Sequence, residues 1–79
     1  MRILIIEDEV TAYEHLRKLV LEIEPGAEIV AHIESIEQGV RWLSQQAEPD
    51  LILSDIHLAD GSSFMIFDQV PVRCPIVFT

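Results

Sequence analysis

Basic residues are scarce in this chain. Five Lys plus Arg stand against fourteen Asp plus Glu, a formal net charge of −9 over 79 residues. A face that binds nucleic acid or an anionic membrane needs the opposite balance, so the composition argues against direct docking on either. Cysteine occurs once, as Cys74. One thiol closes no internal disulfide, and no Cys/His cluster accompanies it to hold zinc. Long apolar runs are missing too. Met1 to Ile6 is apolar apart from Arg2, but Glu7-Asp8-Glu9 stops it. That is too short for a signal peptide or a membrane span, and a soluble cytoplasmic protein is expected. Glycine is sparse, with three residues, and none forms a phosphate loop after the first apolar run. This excludes the spacings of dinucleotide and P-loop sites.

What is abundant is apolar side chain, 49% of the residues, too much for a disordered chain. Ile3–Ile6 runs without alternation, as a strand buried on both faces does. Val10, Tyr13, Leu16, Val20 and Ile23 then recur at spacings of three and four, the period of an amphipathic helix that Pro25-Gly26 ends. Glu28–Ile33 reads as a second strand. Ser35-Ile36-Glu37-Gln38 has the form of a capping box, followed by the stripe Ile36, Val40, Leu43 and Ala47, with Trp42 off it as a partly buried packing residue. After the break at Pro49-Asp50 comes a third strand, Leu51–Leu53, leading to Ser54-Asp55. A loop at Asp60–Ser63 opens a short third helix whose Phe64, Met65 and Phe67 are expected to face the core. Pro75–Thr79 is a fourth strand, with proline at its first position. Strands alternating with helices predict one α/β domain over residues 1–79, a three-layer parallel sheet with helices on both faces.

In such sheets, sites form beyond the carboxyl ends of the strands. Here the first strand ends in Glu7-Asp8-Glu9, the third in Asp55 and the fourth in Thr79. Neighbouring strands lie about 4.8 Å apart, so if the first and third are adjacent their carboxylates crowd. Like charges that close favour a hard divalent cation among them, and Mg2+ suits one or two carboxylates with water and phosphate. The competing reading is that these acids only cap the first helix, where negative charge suits its dipole. Glu9 is assigned that role.

Three stretches resemble one family, the response-regulator receiver domains: Ile3–Glu9, Leu51–Gly61 and Pro75–Thr79, in that order and at those strand ends. The wording from Asp55 to Gly61 and the ending Pro-Ile-Val-Phe-Thr resemble receivers fused to LytTR-type DNA-binding domains. The resemblance implies a flavodoxin-like sheet of order 2-1-3-4, lacking the family's last strand and two helices. It implies that Asp55 is the phospho-acceptor, taking a phosphoryl group from a sensor histidine kinase. It implies that Glu7 and Asp8 position Mg2+ with Asp55, joined by the backbone carbonyl of His57, whose imidazole faces solvent. Thr79 matches the family's switch hydroxyl. The switched output domain, DNA-binding in the LytTR-type regulators it resembles, is expected outside these residues, as is the family's lysine after strand five. Lys18, on the first helix, does not replace it.

The expected role is therefore phosphorelay signalling and not turnover. One alternative is a pseudo-receiver that keeps the fold for protein contacts. Another is an aspartyl-nucleophile phosphohydrolase, which Glu7-Asp8-Glu9 disfavours because it lacks the Asp-x-Asp pattern. With the fourth strand at an edge and an apolar face uncovered, self-association is also expected.

Overall fold

The computed structural model describes residues 1–79, with β1 at Arg2–Ile6, α1 at Val10–Ile23, β2 at Glu28–Ile33, α2 at Ile36–Gln45 and β3 at Leu51–Ser54. A two-residue pair follows, β4 at His57–Leu58 and β5 at Gly61–Ser62, then α3 at Phe64–Gln69 and β6 at Ile76–Phe78. The main sheet has the order β2-β1-β3-β6 with every pairing parallel. This is the expected 2-1-3-4 order, β6 being the fourth strand of the sheet. The antiparallel β4–β5 hairpin was not expected. Its second strand opens on Gly61 at φ +136°, a conformation that side chains rarely adopt.

The unbroken apolar run of β1 is explained by what covers it. Leu4 and Ile6 point to a core shared with Ile33, Leu43, Ile52 and Ile66, beneath α2 and α3. Ile3 and Ile5 point the other way, with Leu53, against Tyr13, Leu16 and Val20 of α1. Each fully buried side chain of this size contributes about 1.5–3 kcal/mol. The central strand therefore holds both helical layers to one sheet.

Glu9 caps α1, its carboxylate accepting from the N–H groups of Thr11 at 3.1 Å and Ala12 at 2.6 Å. The stripe predicted for α1 is right only in its middle. Val10 is 58% and Ile23 81% exposed, at the first and last positions of the helix. At α2, Ser35 Oγ accepts from Gln38 N–H at 3.1 Å as expected, but the Gln38 side chain reaches past the cap to accept from Glu34 N–H at 2.9 Å. The helix stops at Gln45, so Ala47 is off it and exposed. Trp42 is partly buried against the core, as predicted.

The third helix needs a larger correction. Phe64 and Met65, expected inside, are 48% and 49% exposed, and the residue that enters the core is Ile66. Phe67 packs against that core from its rim. Beside α3, β6 pairs with β3 alone and leaves Val77 and Phe78 exposed, the Phe78 ring 4.9 Å from that of Phe64. A groove of about 400 Å³, lined by Ile3, Leu16, Leu19, Val20, Leu51 and Leu53, stays open between α1 and the sheet. No helix is long and apolar enough to cross a membrane.

Candidate functional site

The register of the sheet brings three strand ends into a row. Ile6 of β1 is paired with Ser54 of β3, and the ladder runs one bond further, Asp55 N–H donating to Ile6 O at 2.8 Å. Glu7 N–H donates to Ile33 O at 2.8 Å on the other side. Thr79 N–H donates to Ser54 O at 2.9 Å. The residues past the ends of β1 and β3 are therefore neighbours, and Thr79 comes alongside Ser54.

One carboxylate oxygen from each of Glu7, Asp8 and Asp55 lies within 4.8 Å of the others. Glu7 is buried, while Asp8 and Asp55 are half-buried. Burial pushes the Glu7 carboxyl above its usual range; the Glu9 N–H, donating to Glu7 Oε2 at 3.2 Å, pulls it back, and the charges of Asp55 and Asp8 add to the rise. The donor set is all oxygen and all anionic. Ligands of a hard cation bound at about 2.1 Å lie at most about 4.2 Å apart, so these oxygens would have to draw somewhat closer to share one. The residues thus fit Mg2+ in donor chemistry and lie near the spacing it needs.

Asp55 has its Oδ1 occupied by Ile56 N–H at 2.8 Å, and its carbonyl accepts from Ser54 Oγ at 2.9 Å. The turn beyond β3 therefore holds one carboxylate oxygen and leaves Oδ2 to other partners. Asp60, in the next turn, is engaged elsewhere: both its oxygens accept from Ile36 N–H at 3.0 Å, at the start of α2. His57 is exposed, and its ring takes no part in the acidic trio. Thr79 is exposed, and Lys18 lies on α1, also exposed.

Sequence reasoning assigns His32 no role. Its ring stacks on Tyr13, centroids 3.6 Å apart and planes 5° off parallel, and its Nε2 lies 2.8 Å from Glu7 O. The only signal in sequence is a polar ring inside an apolar strand, which by itself assigns nothing.

The strain at Glu7 has a measurable consequence. A carboxyl whose pKa is raised by folding binds its proton more tightly in the folded chain than in the unfolded one. Folding stability through this group therefore falls as pH rises above the ordinary value of 4.5. Glu7→Gln keeps an oxygen for Glu9 N–H and removes the charge. The variant is expected to exceed the parent in urea midpoint at neutral pH without divalent cation. The gap should close as pH falls toward Glu7 protonation, and Mg2+ should raise the parent midpoint more than the variant's.

No protein-family model matches the chain. It is 36% identical over 70 residues to the sensory transduction protein LytT of Enterococcus faecalis, a match covering 89% of this chain and 28% of that relative's length. Among solved structures it is similar to the anti-anti-sigma factor PhyR of Bartonella quintana, in complex with the anti-sigma factor NepR. There the TM-score is 0.80 at 31% identity, over 98% of this chain and 32% of the other. The fold also matches the response regulator MaeR bound to beryllium trifluoride, with a TM-score of 0.84 at 21% identity, over 100% of this chain and 66% of that one.

Proposed function

For a chain similar to a sensory transduction protein, with a fold that matches the receiver portion of a response regulator, we propose phospho-acceptance at Asp55 in a two-component signalling protein. The observation that supports this reading most is the convergence of Glu7, Asp8 and Asp55 at adjoining strand ends. In the proposed step an Asp55 oxygen attacks the phosphorus of a phosphohistidine on a sensor kinase. The P–N bond breaks, its electron pair stays on the imidazole nitrogen, and an acyl phosphate forms on Asp55. Glu7, Asp8, Asp55 and the His57 carbonyl would hold Mg2+, which would supply neutralisation of the phosphoryl charge and in-line orientation. Thr79 supplies the hydroxyl that answers the new phosphoryl group, and the added charge biases an output domain, taken from the LytTR-type resemblance to be DNA-binding. Residues 1–79 act as one receiver domain. The exposed β6 edge and the groove beside α1 are the surfaces for protein contacts, self-association among them.

A second reading has its own support. A structural neighbour at 31% identity is solved bound to another protein, which fits a pseudo-receiver that works by contact alone. Intact mass spectrometry separates the two. After incubation with Mg2+ and an acyl phosphate donor, the chain is expected to gain the mass of one phosphoryl group, and the gain should vanish with a chelator. A folded chain that takes up no phosphate under either condition would favour the contact-only module.

A further inference from the structure

Glu7, Asp8 and Glu9 form the whole connection between β1 and α1. Past the Glu7 N–H this segment has no bond to the sheet's strands through its own N–H groups, yet two of its side chains meet Asp55. Three bonds limit its freedom at Glu7. The N–H of Glu7 is held by Ile33 O, its carboxylate by Glu9 N–H, and its carbonyl by His32. The third bond places the start of Asp8. The Glu7 carbonyl lies in the same rigid peptide plane as the Asp8 nitrogen and Cα, so anchoring that oxygen sets where both atoms sit.

The donor is itself held before any ligand arrives. The His32 side chain is 19% exposed, on the edge strand β2, with its ring flat against Tyr13 of α1. A carbonyl oxygen only accepts, so Nε2 carries the hydrogen. The other nitrogen, Nδ1, has the Glu34 carboxylate 3.8 Å away, itself largely exposed, and leaves Nε2 free for Glu7. The ring therefore ties β2, α1 and the acidic connection together at one point.

We propose that His32, clamped on Tyr13, is a positioning residue for the acidic site: through the Glu7 carbonyl it sets the peptide from which Asp8 presents its carboxylate. This rests on the cation reading of that site for its effect on affinity. Groups that orient ligands without touching the metal change metal affinity by about 10–100-fold when removed.

The test uses the full chain and two variants. His32→Leu fills the space without a donor, and His32→Gln restores an N–H at similar reach without the ring. Both lose the stack, so a packing role would affect them alike. Mn2+, standing in for Mg2+, is titrated and the free ion followed by electron paramagnetic resonance, with Asp8→Asn as control. His32→Leu is expected to bind Mn2+ about tenfold more weakly, and His32→Gln to stay near the parent. Equal affinity in His32→Leu and the parent overturns the proposal, and so does equal weakening in both variants. The Asp8 amide is followed by heteronuclear NOE without any cation. It is expected to lose order in His32→Leu and keep it in His32→Gln. If the parent binds no Mn2+ but this contrast appears, positioning stands and the cation reading falls. If the Asp8 amide is unchanged in His32→Leu, positioning itself falls.

Discussion

Asp55→Asn is expected to take up no phosphoryl group from the donor that modifies the parent chain, and to remain folded. The amide nitrogen has no electron pair to match the carboxylate that attacks phosphorus, so on the proposed function this substitution removes the nucleophile. It does little to the scaffold. Asn keeps an oxygen for the Ile56 N–H that Asp55 Oδ1 accepts at 2.8 Å. The backbone bond to Ile6 O is unaffected. Removing the charge also relieves part of the pressure on Glu7, whose carboxyl is pushed up by burial first and by Asp55 among the neighbouring charges. The stability change is therefore expected within about 1 kcal/mol of the parent, and on the stable side when divalent cation is absent. Thr79→Ala is the matched control. It lies in the same row of strand ends, but its hydroxyl is no nucleophile in the proposed step, so uptake at Asp55 should persist. Intact mass and a urea titration of the three proteins decide the matter. Uptake that survives in Asp55→Asn would place the acceptor elsewhere.

The fold was legible where the chain repeats one simple rule. A run such as Ile3–Ile6 is apolar at every position because helices cover the sheet on both sides, and that rule needs no knowledge of the helices. The cap at Ser35 was legible because its partner is three residues away. The acids after β1 and β3 were legible as strand-end residues, although their convergence to 4.8 Å depends on β1 and β3 being adjacent. What could not be read has equally plain causes. A period of 3.6 says which residues share a face of α1 but not how far its ends project, so Val10 and Ile23 were placed inside and lie outside. The strands β4 and β5 are two residues each, too short to show any alternation. The His32 contact joins positions 25 residues apart, across a register that only the folded sheet defines.

The third helix shows the same limit and carries the second large effect. With six residues α3 makes fewer than two turns, so its pattern Phe-Met-Ile-Phe fits several faces. The sheet resolves it by taking Ile66, wholly buried in the core that holds Leu4, Ile6 and Ile33. Its neighbour across the helix pair is Gly39 of α2, where an added Cβ would stand 2.6 Å from Ile66 Cδ1, 3.2 Å from its Cγ1 and 3.3 Å from Ile33 Cγ2. The close approach of α2 to α3 thus depends on a missing side chain. Ile66→Ala removes buried contacts and leaves a cavity, at an expected cost of about 3 kcal/mol. Whole domains have only about 5–15 kcal/mol to lose, so much of the chain's stability should go with it. Gly39→Ala has two opposed effects. Helix propensity favours alanine by about 1 kcal/mol, but the new methyl overlaps a side chain that is enclosed on every side. Overpacking of this kind costs about 1–3 kcal/mol, so the net change is destabilising. The double variant should recover part of the loss, because the methyl at 39 enters the space vacated at 66 and the helix keeps its gain. A coupling of about 1–3 kcal/mol in the favourable direction is expected from urea midpoints of the four proteins. Strict additivity would mean that α2 and α3 move apart to admit the methyl, and that the packing of Gly39 against Ile66 does not set their spacing.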